Sequence, residues 1–216
     1  SFENVDLPLI RKAAGTGKPL IISTGMATLA ELDEAVRTAR QAGCKDLALL
    51  KCTSSYPAPP QESNLFTIPY MQSIFSCEVG LSDHTQGIGS ALAAVALGAC
   101  LIEKHFTRNR ADGGLDAAFS LEPQEMQDLV QESRRAWQAL GKVDFAPAKS
   151  EAPARSYRRS LYICRDMQAG EALDEQSLRR VRPGLGLSAK YYEVLLGKRL
   201  ARDVKKGTPM SWDLLE

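Results

Sequence analysis

The chain has 216 residues, 44% hydrophobic and 25% charged, enough for one sizeable core or for a core plus a small satellite domain. Lys and Arg number 27 against 26 Asp and Glu, a formal charge of +1, so nothing in the net charge argues for nucleic acid or an anionic membrane as a partner. The longest lightly interrupted apolar run, Ala91 to Ile102, is too short for a bilayer, and the opening SFENVDLPLI has neither the basic start nor the apolar centre of a signal peptide.

The first residue is not Met, and the opening reads as cut from something longer. Cys44, Cys52, Cys77, Cys100 and Cys164 are odd in number, lack CxxC spacing and mostly sit beside apolar runs, which points to buried free thiols in a reducing cytoplasm.

In chain order, KPLIIST (18–24) reads as a strand. TLAELDEAVRTARQAG (28–43) reads as a helix opened by Thr28, with Glu31 in capping-box spacing. DLALLKCT (46–53) is the next strand, and a Pro-rich loop around Tyr56–Pro60 leads to a weaker helical segment. CEVGLSD (77–83) is a third strand, GIGSALAAVALGA (87–99) a small-residue helix, and CLIEKHFT (100–107) a fourth strand. After a polar loop, Glu122 to Leu140 carries apolar residues at helical spacing. Strands apolar on both faces, alternating with helices, indicate a parallel sheet. Four βα units suit either a doubly wound sheet or half of a (β/α)₈ barrel, and no GxGxxG follows a strand to favour the former.

From 141 to 154 the composition shifts to Ala, Pro and Lys and periodicity vanishes, as in a linker. Beyond it, RDMQAGEALDEQSL (165–178) echoes RDVKKGTPMSWDLL (202–215), sharing Arg-Asp, an apolar third residue, Gly at the sixth place and an apolar ninth. Neither copy can bury its apolar face alone, so the pair implies a small, pseudo-symmetric β-rich domain. The expected organisation is a partial barrel over 1–140, a linker over 141–154 and a β-rich domain over 155–216.

The polar residues collect at the C-terminal strand ends, where a barrel builds its active site. Only two histidines occur, and they are matched: His84 ends one strand and His105 the next. Two imidazoles with room for oxygen ligands suit a divalent transition metal such as Mn²⁺, Zn²⁺ or Fe²⁺, acting as a Lewis acid on a carbonyl oxygen. A lone strand-end histidine is more often structural; the matched pair, each beside an acidic residue (Asp83, Glu103), tips the balance toward a metal. Those carboxylates read either as orienters of the imidazoles or as solvated rim charges. The glycines of RNRADGGLDAAFS (108–120) let the loop bring Asp112 or Asp116 over the mouth, although taken alone it reads as a surface turn. Lys51, Ser54, Ser82 and Lys104 are candidate donors to an anionic ligand.

GLSDHTQG (80–87), ALGACLIEKHFT (96–107), ISTGMAT (22–28) and LLKCTSSYPAPP (49–60) resemble the barrel motifs of the sialic acid synthase family. RPGLGL (182–187) and GKRLARDVKKGTPMSWDLL (197–215) resemble its antifreeze-like SAF domain, a β-clip. The loop NRADGGLDAAFSLEP (109–123) is closer to the pseudaminic acid branch than to the N-acetylneuraminate branch. The resemblance implies an α/β fold: the C-terminal half of a (β/α)₈ TIM barrel followed by a SAF domain. It implies condensation of phosphoenolpyruvate with an open-chain N-acetylated amino sugar, 2,4-diacetamido-2,4,6-trideoxy-altrose in the pseudaminic branch, to give a sugar acid and phosphate. N-acetylneuraminate or legionaminate synthesis, or a non-catalytic sugar-binding module, are the alternatives.

By the same resemblance His84 and His105 hold a divalent metal, Mn²⁺ first and Mg²⁺ or Co²⁺ as alternatives, and Asp116 joins them in the catalytic set. Ser1, Ser54 and Ser82 fall where the family contacts phosphoenolpyruvate. Glu3, Tyr56 and Asp116 fall where it contacts the sugar. Arg182 matches an arginine that reaches into the partner subunit's barrel, implying a domain-swapped homodimer in the cytoplasm. Ser54 stands where the sialate branch has Asn, and Leu115 replaces a proline usual before Asp116. The chain begins after the family's fourth strand, so the family's N-terminal catalytic glutamate and a lysine just before Ser1 lie outside it.

Overall fold

The computed structural model describes all residues 1–216, and the chain divides into two compact units, Ser1–Lys142 and Val143–Glu216. In the first, helix α1 (Leu7–Ala14) precedes strand β1 (Leu20–Ser23), helix α2 (Leu29–Gln41), strand β2 (Leu47–Cys52), helix α3 (Thr67–Phe75), strand β3 (Glu78–Asp83), helix α4 (Gly89–Ala96), strand β4 (Ile102–Lys104) and helix α5 (Pro123–Leu140). The four strands form one sheet in the order β1-β2-β3-β4, every pair parallel. The unit is a half-barrel.

The capping box at Thr28 is present: the Glu31 backbone N–H donates to Thr28 Oγ1 (3.3 Å), and Glu31 Oε2 accepts the Thr28 backbone N–H (2.7 Å). Leu32, Ala35, Val36 and Ala39 bury one face of α2, which joins Ile22, Leu49, Val79 and Leu81 of the sheet in the main core. Helix α1 was not expected from the sequence, though its signals are there: Asp6 caps the Leu9 N–H and Pro8 lies in the first turn. Gly80 allows β3 to approach its neighbours closely, since a Cβ there would lie 2.3 Å from the Leu101 carbonyl oxygen.

Strand β4 is shorter than CLIEKHFT suggests. Its partner β3 stops at Asp83, and beyond Lys104 the chain turns to bridge Phe106 to Leu121 instead. The Leu121 N–H donates to the His105 carbonyl, and the Thr107 N–H to the Leu121 carbonyl. Helix α4 is also trimmed, ending before Gly98, whose φ of +95° a helix does not accept.

The second unit carries the antiparallel pair β5 (Ser160–Ile163) and β6 (Leu178–Val181) and a one-turn helix α6 (Tyr192–Leu195). Residues 141–154, aperiodic in sequence, contain a 3₁₀ turn at Lys149–Glu151, with another at Pro153–Tyr157. The echoed segments obey a pseudo-twofold pattern. Met167 and Val204, third in their copies, exchange backbone hydrogen bonds of 3.0 and 2.9 Å. Asp166 accepts from the Lys206 N–H and Asp203 from the Ala169 N–H, both at 2.8 Å. Gly170 and Gly207 adopt φ of +81° and +87°, and Leu173 and Met210 are buried at 2% and 0% exposure in one core.

Candidate active site

Register builds the site. Asp83 and Lys104 are paired across β3 and β4, so the residues that follow them, His84 and His105, emerge side by side at the C-terminal end of the sheet. Their ring centroids lie 5.1 Å apart. His84 is buried, and its Nδ1 sits 2.9 Å from the Thr53 carbonyl oxygen. A carbonyl only accepts, so Nδ1 carries the proton and Nε2 keeps a free lone pair.

The Tyr56 ring lies 4.3 Å from that of His84 and 5.8 Å from that of His105. Phe119 closes the cluster, 5.1 Å from His105 and 5.9 Å from Tyr56. Asp116 Oδ2 reaches to 3.6 Å from His105 Nδ1, longer than a hydrogen bond but close enough for charge to act. Of the two aspartates expected over the mouth, Asp116 is the one that arrives; Asp112 accepts a hydrogen bond from Asn109 at 3.1 Å. Gly113 and Gly114, with φ of +78° and +130°, make the turn between them. Arg110 anchors this loop: its N–H donates to Glu122 Oε1 (2.8 Å), its Nε to the Ser120 carbonyl (3.0 Å), and its guanidinium pairs with Glu125. The Glu122 N–H, then the Arg110 guanidinium, hold the Glu125 carboxyl below the usual range against slight burial.

Cys52 ends β2 beneath His84, its Sγ 3.8 Å from His84 Nδ1 and 3.8 Å from Ser54 Oγ. Burial pushes its thiol up, but hydrogen bonds with His84, Ser23 and Ser54 outweigh that and bring it down to about 6. The same Cys52 contact raises the His84 imidazole, opposed by burial and helped by the Thr53 carbonyl. Ser54 Oγ donates to Ser1 Oγ at 3.0 Å, so those two expected ligand contacts are brought together. Glu3 is exposed, its carboxylate 3.9 Å from the Ser1 amino nitrogen. Arg182 lies in the second unit, exposed, immediately after β6.

Several donors expected to be open are committed instead. Lys104 Nζ is 2.8 Å from Asp83 Oδ2, both side chains only 2% exposed, and it also donates to the Thr85 carbonyl. Removing either partner from so buried a pair would strand a charge at a cost of several kcal/mol, so Lys104 is not a free anion donor and Asp83 is not a solvated rim charge. Ser82 Oγ donates to Glu103 Oε1 at 2.7 Å. Its proton is therefore taken, leaving its lone pairs for a ligand. Neither Asp83 nor Glu103 orients an imidazole by a direct hydrogen bond. Lys51 Nζ donates to the Cys52 carbonyl at 3.0 Å, and burial lowers its pKa, with Cys52 opposing. All five cysteines are free, but only Cys44 and Cys52 are buried, and Cys100 is exposed.

Sequence reasoning missed Cys52, the Thr53 carbonyl, Phe119 and Arg110 as parts of the site. Cys52 and Thr53 close the strand read at DLALLKCT (46–53), at the end where polar residues were expected to collect. Phe119 and Arg110 carried no local signal, because their roles depend on how the loop folds back.

No three His, Cys, Asp or Glu side chains converge into a ready-made metal cage. The residues present fit an open site: two neighbouring imidazoles, one with its tautomer fixed by a carbonyl, and the other positions left to oxygen donors.

A family model described as the NeuB family matches residues 1–145, and one described as the SAF domain matches residues 158–216. Pseudaminic acid synthase of Helicobacter pylori is 40% identical over 100% of the chain and 64% of its own length. N,N'-diacetyllegionaminic acid synthase of Campylobacter jejuni is 42% identical over 95% of the chain and 63% of its own. The crystal structure of spore coat polysaccharide biosynthesis protein SpsE from Bacillus subtilis matches with a TM-score of 0.62 and 34% identity, covering 100% of this chain and 66% of that one. The chain thus spans somewhat less than two thirds of the curated relatives it matches.

Proposed function

We propose, for a chain that belongs to the NeuB family and ends in a SAF domain, that it supplies half of the active site of a synthase condensing phosphoenolpyruvate with an open-chain N-acetylated amino sugar. The observation that carries this reading is the pair of imidazoles at 5.1 Å, flanked by Tyr56 and Asp116 at the C-terminal end of a half-barrel. The reaction joins C3 of phosphoenolpyruvate to the sugar's aldehyde carbon, consumes one water and releases phosphate, leaving a 2-keto sugar acid.

His84 and His105 hold a divalent cation, Mn²⁺ first, which supplies Lewis-acid polarisation of a carbonyl oxygen when bound. The Thr53 carbonyl keeps His84 in the tautomer that presents Nε2. Ser1 Oγ, which accepts the Ser54 proton and keeps its own, offers a hydroxyl to phosphoenolpyruvate, and Ser54 and Ser82 join it by turning their hydroxyls away from Ser1 and Glu103. Tyr56, Asp116 and Glu3 face the sugar, and the Phe119 ring backs Tyr56 and His105. Arg182 acts on the sugar from a second copy of the chain, in a domain-swapped homodimer. No helix is long and apolar enough to cross a membrane. The cytoplasm, where phosphoenolpyruvate is drawn from, is the location that goes with the proposed reaction.

For the sugar we favour 2,4-diacetamido-2,4,6-trideoxy-altrose, on the loop at residues 109–123; relatives making pseudaminic and legionaminic acids lie equally near, at 40% and 42% identity. Phosphate release by the full-length protein, measured with phosphoenolpyruvate, Mn²⁺ and each candidate sugar, decides. Turnover with that sugar at least tenfold above the others supports the reading. Turnover with none, alongside plain sugar binding, favours the binding-module alternative.

A further inference from the structure

The buried pair Asp83–Lys104 sits where no substrate has to reach it, yet each member is the residue immediately before a histidine of the site. Lys104 Nζ meets Asp83 Oδ2 at 2.8 Å and also donates to the Thr85 carbonyl, while Asp83 Oδ1 accepts the Thr85 N–H at 2.8 Å. Asp83, His84 and Thr85 therefore form a small arch, closed on itself by the aspartate and clamped from the next strand by the lysine. Beyond Asp83 and Lys104 the β3–β4 ladder has no further rung: the His84 carbonyl accepts the Ala58 N–H (2.9 Å) and the His105 carbonyl the Leu121 N–H (2.8 Å), so each backbone is tied to its own loop and no backbone bond joins the two histidines directly.

We infer that Asp83 and Lys104 are positioning residues: their ion pair staples the ends of β3 and β4 and thereby fixes the separation of His84 and His105. This rests on the reading that those histidines hold the metal. An ordinary salt bridge serving only stability would not need to be this buried, since replacing such a pair with neutral groups of similar shape is often harmless to folding. What neutral groups cannot reproduce is one ammonium gripping a carboxylate and a carbonyl on either side of His84.

The test is Mn²⁺ affinity of the metal-stripped full-length protein, read by calorimetric titration beside thermal unfolding. In the double variant Asp83→Asn/Lys104→Met, affinity should fall at least tenfold while cooperative unfolding is retained. Affinity within twofold of the parent in that folded variant overturns the inference. If the double variant does not fold, Asp83→Glu keeps the charge but moves the carboxylate by one methylene, and severalfold weaker Mn²⁺ binding is expected; unchanged binding again overturns it. His84→Ala in parallel separates the two levels. Its retention of metal affinity contradicts the metal site itself, whereas its loss beside an unaffected double variant contradicts only the staple.

Discussion

Ser54 Oγ donates to Ser1 Oγ at 3.0 Å, and Gly25 lies directly against both. Gly25 has φ of +47°, and a Cβ there would stand 2.6 Å from Ser1 Cβ and 2.9 Å from Ser54 Oγ. The two hydroxyls proposed to meet phosphoenolpyruvate are thus packed against a residue with no side chain. Gly25→Ala is expected to cost about 1–3 kcal/mol, from overpacking and the strained backbone together. It should also raise the KM for phosphoenolpyruvate severalfold. Denaturant titration and steady-state kinetics check the two parts; an unchanged KM would detach Ser1 and Ser54 from the phosphoenolpyruvate site.

The pseudo-twofold of the second unit makes a paired expectation. Leu173 and Met210 hold equivalent places in one core at 2% and 0% exposure, so Leu173→Ala and Met210→Ala should each destabilise that unit by about 2–5 kcal/mol. Separate melting of the two variants measures this. A large effect at one position and none at the other would show that the equivalence stops at the backbone.

The same unit should weaken in acid. The Lys206 backbone N–H, then the Lys205 ammonium, lower the Asp166 carboxyl; the Ser177 hydroxyl and N–H do the same for Asp174. A carboxyl lowered on folding lends stability that is present above its unfolded value and lost as pH falls through the folded one. The melting temperature should therefore be level near neutrality and decline below the ordinary aspartate value of 3.8. In Asp166→Asn that decline should be shallower.

Arg182 gives the clearest kinetic split. A guanidinium donates several fixed hydrogen bonds, and their loss leaves acceptors unpaired on whichever ligand it served. In the full-length protein, Arg182→Ala should raise the sugar KM at least tenfold and leave that for phosphoenolpyruvate within twofold. Equal changes in both would remove Arg182 from the sugar's side of the site.

Much of this was legible from pattern. Period and caps located α2 and the four parallel strands, and matched strand ends marked His84 and His105. The echoed Arg-Asp segments announced the symmetry that the Met167–Val204 bonds carry out. What pattern could not show was commitment. Lys104 and Ser82 read as free donors because their partners, Asp83 and Glu103, come from the neighbouring strand. Phe119 entered the site only because the loop folds back, and β4 ended early because its partner did.

An open sheet carries its own expectation. Strands β1 and β4 are both edges here, and an eight-stranded barrel needs four more strands between them. Residues 1–216 expressed alone should release no phosphate from phosphoenolpyruvate with the amino sugar and Mn²⁺, and should aggregate or pair with another half. Turnover from a soluble monomer would show that the site lies elsewhere.

The central claim is that His84 and His105 together hold the metal, and Mn²⁺ titration of the full-length protein tests it most directly. Each removes one of only two imidazoles, so His84→Ala and His105→Ala should both weaken Mn²⁺ by more than about 100-fold and abolish phosphate release, with cooperative unfolding retained. Full metal affinity in both folded variants would contradict the account.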